Sequence, residues 1–483
     1  MKLNFLQFKT NDGIRMIFDN LTGIVINETD KTIGILEKLN ETDGKINLNF
    51  ENDIYNKEFQ FLKELYLNKY FNSMEYHKFE VNEKPSVYDG ISSHIILITT
   101  EDCNLRCKYC VYSDFYKDKK TYSNKKMTFE VAKKALDLII TYHNKKVIRG
   151  YKDILKVNFY GGEPLLNFDV VKKVVEYLNE MGLSNVEYLI TTNGTVMTEE
   201  IIDFLARNKF LIAFSIDGNE FNHDRNRVTL TGHGTHYKAL DSLKIYKKRL
   251  DHYGFYDQII NITCCFDDYT DMEKLVLFFE EIRNEIQNLN VIYNKVYDVD
   301  TEYYEYCDKL YSNSSLDKNT YVDSTKKIFN KYYNNKENKI PNSVKSMFTS
   351  YYLLKNRKKG YINLIHGNAC IIGDKLAISP EGNIYICEKA NQEIAIGDVN
   401  KGIDINKIDY IYDKYYKIRI ENCLNCNISR LCDACFVHFI KNGDIIFNKE
   451  FCKKRKEAYS KALATLYSKM EVNRNIFDME TDD

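Results

Sequence analysis

The chain has 483 residues, of which 44% are hydrophobic and 28% are charged, an ordinary composition for a protein with a sizeable core. Its 68 Lys and Arg against 69 Asp and Glu leave a net charge of −1, which argues against a protein that binds nucleic acid or an anionic membrane. No run reaches the roughly 18 apolar residues of a membrane span, and the first residues lack the apolar core of a secretory signal. We therefore expect a cytoplasmic protein of about two to four domains.

The cysteines are the most informative residues in the chain. There are 13 of them, far fewer than a disulfide scaffold of this length would contain. Three fall within residues 103–110 and five within residues 423–452. Clustered cysteines at short spacing in a reducing compartment are usually ligands of a metal or an iron–sulfur cluster.

Residues 1–85 contain no cysteine and are predicted to form a small module of their own. The stretch Ile14–Ile26 predicts two short strands around a turn. Amphipathic patterns over Lys31–Leu39 and Lys57–Phe71 then predict two helices. This order of strands and helices is typical of a winged-helix-like module, and Glu83-Lys84-Pro85 is interpreted as a linker.

From residue 92 the pattern changes to strands alternating with helices. The apolar runs that predict buried parallel strands are Ile95–Thr99, Leu155–Tyr160, Val186–Thr191, Phe210–Ile216, Ile259–Thr263 and Val291–Val296. Helical patterns lie between them near Phe129–His143, Val170–Met181, Glu199–Asn208, Tyr237–Arg249 and Met272–Ile286. Six such units predict an α/β fold, a partial or full βα barrel over residues 92–300, with its chemistry at the C-terminal ends of the strands.

The remaining third of the chain is divided by its cysteines. Residues 301–365 carry no clear motif and are predicted to form a bridging segment. Residues 366–455 contain the second set of cysteines, and residues 456–483 are predicted to form a helix and an acidic tail.

The first cysteine motif directly follows the first predicted barrel strand. Cys103, Cys107 and Cys110 have the spacing CxxxCxxC, which supplies three of the four ligands of a [4Fe–4S] cluster and leaves one iron open. A zinc knuckle is the alternative, but it requires a fourth Cys or His nearby, and the next one is His143.

This motif resembles that of the radical S-adenosylmethionine (SAM) enzymes. Four further motifs at strand ends share the resemblance, in chain order: FYGGEP at 159–164, TTNG at 191–194, FSIDG at 214–218 and HDRNR at 223–227. The resemblance covers about residues 92–270. It implies that the open iron binds the amino and carboxyl groups of SAM, and that the reduced cluster cleaves SAM to a 5′-deoxyadenosyl radical.

The resemblance also implies which residues hold SAM. Glu163 and the glycines before it would bind the amino group, Ser215 would approach the ribose or carboxylate, and Arg227, favoured over Arg225, would pair with the carboxylate. The complete predicted SAM-binding set is Tyr109, Gly161, Gly162, Glu163, Thr192, Asn193, Ser215, Asp217 and Arg227.

The second set of cysteines resembles the SPASM extension of radical SAM enzymes, which carries two auxiliary [4Fe–4S] clusters. This resemblance implies a distal cluster held by Cys423, Cys426, Cys432 and Cys452. It implies a proximal cluster held by Cys370, Cys387 and Cys435, with one iron open to a substrate thiolate. Two zinc sites are the alternative that spacing alone leaves open. The spare cysteines Cys264, Cys265 and Cys307 are interpreted as core or incidental residues.

Glu388 follows Cys387 and is the candidate catalytic residue. The matching position in sulfatase-maturing relatives is an Asp that serves as a base. The alternative is a solvated carboxylate, or one paired with Lys389.

Residues 1–85 resemble the precursor-recognition module of peptide maturases, which binds a leader peptide as an added strand; a generic capping domain is the alternative. The resemblances together imply an enzyme that acts on a ribosomally made precursor peptide. A hydrogen is abstracted from a peptide carbon, which then joins a cysteine sulfur, as in sactipeptide and ranthipeptide enzymes. An electron donor such as flavodoxin or ferredoxin is also implied.

Three other functions remain open on the sequence. The first is an anaerobic sulfatase-maturing enzyme, which forms formylglycine. The second is a maturase that forms a carbon–carbon or carbon–oxygen crosslink. The third is a scaffold without catalytic activity that holds iron–sulfur or zinc and binds a partner protein.

Overall fold

The computed structural model describes the chain except residues 1–4, 21–22, 69–92, 117–120, 149–153, 184, 297, 299–300, 315, 334–339, 357–369, 371–372, 374, 390–392, 424 and 473–483. The linker predicted at residues 83–85 lies outside the described residues, as does the acidic tail.

The N-terminal region is a three-stranded antiparallel sheet followed by two helices. Its elements are β1 (Phe5–Lys9), β2 (Arg15–Asp19), β3 (Val25–Asn27), α1 (Thr32–Glu41) and α2 (Asp53–Leu67). The predicted strand pair is confirmed as β2 and β3, while β1 was not predicted. A small core forms where the apolar faces of α1 and α2 meet, with Leu36, Leu39 and Phe59 fully buried.

The central sheet contains six parallel strands in chain order, as predicted. They are β4 (His94–Thr100), β5 (Leu155–Gly161), β6 (Val186–Thr192), β7 (Leu211–Ser215), β8 (Ile260–Phe266) and β9 (Leu289–Lys295). The helices between them are α3 (Phe129–Ile148), α4 (Phe168–Glu180), α5 (Glu199–Arg207), α6 (Glu220–Asp224), α7 (His236–His252) and α8 (Met272–Glu285). Among the described strands β9 ends the sheet and pairs only with β8, so the barrel is a partial one.

The C-terminal region extends this same sheet, a feature that the sequence did not predict. Strand β10 (Leu376–Ile378) runs parallel to β4, with Leu376 opposite Ile95. The other strands are β11 (Asn383–Tyr385), β12 (Gly397–Asp398), β13 (Gly402–Ile403), and a separate hairpin of β14 (Ile440–Lys441) and β15 (Asp444–Ile445). The helices are α9 (Tyr303–Tyr311), α10 (Thr320–Tyr333), α11 (Asn342–Met347), α12 (Thr349–Asn356), α13 (Ile405–Cys423) and α14 (Lys449–Val472). No helix in the described ranges is long and apolar enough to cross a membrane.

Alternation along the strands gives the sheet two different faces. Val157 and Phe159 of β5 pack under the helices in the main core. Ile96 and Ile98 of β4 point to the opposite, inner face, where Tyr160 and Tyr385 join them. The inner face therefore lies beside the loops that carry the predicted chemistry.

The N-terminal sheet is docked on the C-terminal region through a buried asparagine. Asn20, completely buried, donates from its amide nitrogen to Ser429 Oγ at 2.8 Å and accepts from Arg430 N at 2.9 Å. Arg430 Nε also donates to the Asn20 carbonyl oxygen at 3.0 Å. These residues lie on the loop between Cys426 and Cys432, so the docking contact directly adjoins the second set of cysteines.

Candidate active site

The three cysteines of the first motif share one loop at the C-terminal end of β4. Cys107 is buried, and Cys103 and Cys110 are partly exposed. Burial raises the pKa of Cys103 to about 12 and that of Cys107 to about 11, and the charge of neighbouring cysteines adds to both shifts. Thiols in such surroundings become thiolates when bound metal offsets their charge, so this donor set fits an iron–sulfur cluster. Among the described residues, no three His, Cys, Asp or Glu side chains surround one position for a single metal ion. A four-iron cluster does not need such a position, because each cysteine binds a different iron.

Backbone hydrogen bonds attach the cysteine loop to the segment that carries the predicted SAM-binding arginine. Arg106 N donates to the Val228 carbonyl oxygen at 2.7 Å, and Lys108 N donates to the Asn226 carbonyl oxygen at 3.1 Å. Arg227 is thereby held beside Cys107.

The two glycines after β5 allow another close backbone contact with this loop. Gly161, at a φ of +142°, leaves no room for a side chain, because a Cβ there would lie 2.1 Å from the Thr100 carbonyl oxygen. At Gly162 a Cβ would lie 2.1 Å from the Asp102 carbonyl oxygen. The motif therefore brings the β5 turn against the cysteine loop.

Glu163 joins two of the predicted turns from a completely buried position. Its carboxylate accepts hydrogen bonds from Leu165 N at 3.1 Å, Thr192 Oγ1 at 2.8 Å and Asn193 N at 2.7 Å. Burial raises the pKa of Glu163 to about 7, although these three donors oppose the shift. In the described structure Glu163 thus positions the 191–194 turn, and its predicted contact with the SAM amino group stays a prediction.

Tyr109, Asp217 and Arg227 form a hydrogen-bonded group next to the cysteines. The Tyr109 hydroxyl donates to Asp217 Oδ2 and accepts from Arg227 Nη1 at 2.8 Å. Burial disfavours the charged form of Arg227, but Cys107, Tyr109 and Asp217 raise its pKa well above the usual value. Its Nε is buried and has no hydrogen-bond partner among the described residues, so a donor is available for a carboxylate ligand.

The neighbouring Arg225 is already neutralised. It makes two hydrogen bonds to Asp267, at 2.8 Å and 2.6 Å, and both side chains are almost completely buried. Arg225 therefore holds the fold together, and the arginine with an unpartnered donor is Arg227.

The other barrel residues of the prediction are spread over the strand ends. Ser215 is the last residue of β7 and is partly exposed, and its predicted contact with SAM stays a prediction. Cys264 faces the main core, and Cys307 is a buried residue of α9. Cys265 faces the inner side, and its backbone N–H donates to Asp217 Oδ1 at 2.9 Å. Cys265 is thus nearer the site than its interpretation as an incidental residue implies.

Four C-terminal cysteines line one cavity between α13, the loop after it and the start of α14. They are Cys423, Cys426, Cys432 and Cys452, the set predicted to hold the distal cluster. The other walls include Arg419, Phe439, Phe447 and Phe451. Four thiols around an otherwise largely apolar cavity are a donor set that fits a [4Fe–4S] cluster.

The other three cysteines lie close enough to one another to interact. Burial, and then the charge of Cys370, raise the pKa of Cys435. The charges of Cys387 and Cys370 both act on the Lys375 ammonium. Lys375 therefore lies near Cys387 and Cys370, and Cys370 in turn lies near Cys435.

Glu388 is paired with a residue that the sequence did not suggest. Lys375 Nζ lies 2.9 Å from both carboxylate oxygens of Glu388, and the Cys387 thiol donates to Oε2 at 3.3 Å. The sequence suggested Lys389, whereas this ion pair is made by Lys375, which directly precedes β10. Burial opposes ionisation, but Lys375 holds the pKa of Glu388 below its usual range.

Two charged residues near these cysteines, the buried Arg419 and the partly buried Lys375, were missed in the sequence. Arg419 precedes Cys423 by four residues on α13, and this helical spacing was a usable signal. Lys375 had no local signal, because its contact with Glu388 depends on how the chain folds between β10 and β11.

Comparison with known proteins identifies the central part of the chain. Residues 97–276 match the family model of the Radical SAM superfamily. The chain therefore carries a radical SAM enzyme domain, which implies a [4Fe–4S] cluster and SAM. The match coincides with the strands and loops that hold Cys103, Glu163 and Arg227.

Several relatives resemble larger or smaller parts of the chain. It is 24% identical over 400 residues, 80% of its length and 76% of the relative's, to the radical SAM cyclopropyl synthase TigE of Paramaledivibacter caminithermalis. It is 29% identical to the cysteine-type anaerobic sulfatase-maturating enzyme of Clostridium novyi, over 32% of its own length and 40% of that enzyme's.

An uncharacterized protein of Methanocaldococcus jannaschii is 38% identical over 28% of this chain and 41% of its own length. The matched part is therefore less than half of two of these relatives. A solved structure of native anSMEcpe with bound AdoMet and a Cp18Cys peptide has the same fold, with a TM-score of 0.56 and 21% identity over 79% of this chain and 99% of that one.

Proposed function

We propose that this protein is a radical SAM peptide maturase that forms a thioether between a cysteine sulfur and a carbon of a ribosomally made precursor peptide. The observation that carries the proposal is the combination of two cysteine sites in one chain. Three cysteines lie beside an arginine with an unpartnered donor, and seven more cysteines, two of them near Lys375, lie in the C-terminal region.

Cys103, Cys107 and Cys110 would hold the radical SAM cluster, and the seven C-terminal cysteines would hold two auxiliary clusters. When bound, the clusters and SAM supply a 5′-deoxyadenosyl radical that takes a hydrogen from the peptide, and an acceptor for the electron released when sulfur joins carbon. Arg227 binds the SAM carboxylate, and Tyr109 and Asp217 orient its guanidinium.

The proximal cysteines would also prepare the substrate sulfur. Three protein thiols leave one iron of a four-iron cube for a substrate cysteine, and a metal-bound thiol loses its proton. Lys375 lies near Cys370 and Cys387, where its positive charge would favour a thiolate. Glu388, kept ionised by Lys375, is in position to accept that proton.

The N-terminal sheet is proposed to bind the leader part of the precursor. Its strand β1 faces the C-terminal region, where Asn427 Nδ2 donates to the Phe5 carbonyl oxygen at 3.2 Å. Strand β3 forms the other edge, and adding a peptide strand to a sheet edge is a common recognition mode.

A second candidate is a sulfatase-maturing enzyme, favoured by the cysteine-type sulfatase-maturating relatives and by the shared fold. Crosslinks between two carbons, or between carbon and oxygen, are variants of the first proposal. These chemistries differ in the mass and the thiol count of the product.

The test is the intact mass of a cysteine-containing precursor peptide, co-expressed with the protein without oxygen, before and after thiol alkylation. Candidates are short reading frames next to the gene. Loss of two hydrogens per event, with one cysteine blocked to alkylation and no reducible disulfide, is expected. The same mass loss with every cysteine alkylated would overturn the thioether and favour another crosslink.

A further inference from the structure

Arg419 is completely buried beside the four cysteines of the distal cavity. It is among the largest fully buried side chains of the described residues, and it lies one helical turn before Cys423 on α13. Arginine is almost never fully buried unless a negative partner compensates for its charge. The position therefore places a buried positive charge beside the four cysteines.

Among the described residues, the acidic groups that line the cavity are the thiols of the four cysteines, which would become thiolates on binding a cluster. Three aromatic side chains complete the walls and limit the access of water. Electrostatic interactions are strong in such surroundings, because little solvent screens them.

We propose that Arg419 raises the reduction potential of the [4Fe–4S] cluster that Cys423, Cys426, Cys432 and Cys452 would hold. This rests on the proposed function, in which these cysteines bind an auxiliary cluster. Reduction adds one electron to the cluster while all four thiolates stay bound and no proton is taken up. The added negative charge is stabilised by the buried guanidinium, and cluster potentials are known to depend on such local charge and on solvent exposure.

Arg455 provides a matched control in the same cavity. It also lines the cavity, but it makes an ion pair with Asp433, and its side chain is 32% exposed. Its charge is thus partly neutralised and screened by water. Removing it is expected to change the potential less than removing Arg419.

The experiment is an EPR-monitored redox titration of the full chain with Cys103, Cys107 and Cys110 replaced by alanine, so that only auxiliary clusters contribute. The distal signal is identified as the one that Cys426→Ala removes. Arg419→Gln is expected to shift its midpoint to a more negative potential, Arg455→Gln to shift it less, and Arg419→Lys to keep it near the original value. The second auxiliary signal is the internal reference.

An unchanged distal midpoint in Arg419→Gln, or an equal shift in Arg455→Gln, would overturn the inference. If Arg419→Gln does not retain the cluster, Arg419→Lys decides: an unshifted midpoint supports a charge effect, and a shift to lower potential contradicts it. Absence of any auxiliary signal in the starting protein would instead contradict the proposed function.

Discussion

The two cysteine regions each bury an arginine, but they place it differently. Arg227 lies at the end of the sheet, bonded to Tyr109, with its Nε unpartnered among the described residues. Arg419 lies inside a cavity whose walls include four cysteines and three aromatic rings. The first arrangement suits a ligand that binds and leaves, such as SAM. The second suits a fixed group whose electronic properties the protein adjusts. Position, rather than residue type, separates the two roles.

The largest effect that would separate the two cysteine regions is expected from a substitution in the first cysteine loop. Cys103→Ala is expected to abolish SAM cleavage while the C-terminal cysteines keep their iron, because the two sets lie on separate loops. Iron analysis and chromatography of 5′-deoxyadenosine, both without oxygen, provide the measurement. Cys264→Ala, in the main core, is the control and should retain cleavage. Loss of all iron in Cys103→Ala would contradict independent sites.

The next largest effect concerns the two arginines of the 223–227 segment. Arg227→Gln is expected to weaken SAM binding about 10–100-fold with iron content intact, since a hydrogen bond to a charged group contributes about 1.5–3 kcal/mol. Isothermal titration with SAM measures it. Arg225→Gln instead breaks a buried ion pair and is expected to cost about 3–5 kcal/mol of stability. Unchanged SAM affinity in Arg227→Gln would show that the assignment is wrong.

A smaller effect is expected where the N-terminal sheet docks beside the second cysteine region. Asn20→Ala leaves the partners of a buried amide unsatisfied, at a cost of about 1–3 kcal/mol. Hydrogen exchange in β2 and at Arg430 should become faster, while exchange in β4 stays the same. The exposed Asn11→Ala is the matched control. Equal exchange in Asn20→Ala and the unsubstituted protein would contradict this docking contact.

The smallest effect is a pH dependence at His223, which supports the Arg227 segment. Burial, then the charges of Arg227 and His236, lower its pKa well below 6.5, so the folded state holds it neutral. Its stabilisation is present above pH about 6.5 and is lost as the pH falls toward the lowered pKa.

Denaturation of the apo-protein at pH 7, 6 and 5 measures the contribution of the neutral His223 to stability. As the pH is lowered from 7 to 5, the free energy of unfolding of the unsubstituted protein should decrease more steeply than that of His223→Gln. The difference in slope should reach up to about 1.4 kcal/mol per pH unit. His252→Gln, at the exposed end of α7, is the control and should retain the steep slope. Parallel slopes for His223→Gln and the unsubstituted protein would refute the assignment.

The parallel strands and their loops were predictable because the information is local. The strand His94–Thr100 is a nearly continuous buried apolar run, and the first cysteine motif and the glycine motif lie directly at strand ends. Glycines 161 and 162 were also visible as a motif, although only the structure shows the backbone contact that requires them.

Contacts between distant parts of the chain were not predictable. Asn20 and Arg430 are 410 residues apart, and a lone Asn in a turn is ordinarily a turn residue. Strand β10 is three residues long, too short for a periodic pattern to reveal its pairing with β4. Arg419 was overlooked because a charged residue on a helix is normally expected at the surface.

The most direct test of the central claim is deuterium transfer from a precursor peptide, produced in deuterated medium, to 5′-deoxyadenosine. The purified protein is incubated with SAM, reductant and the labelled peptide without oxygen, and the nucleoside is analysed by mass spectrometry. We expect one deuterium per 5′-deoxyadenosine and a crosslinked peptide in equal amount. Unlabelled 5′-deoxyadenosine with an unchanged peptide would contradict hydrogen abstraction from that substrate.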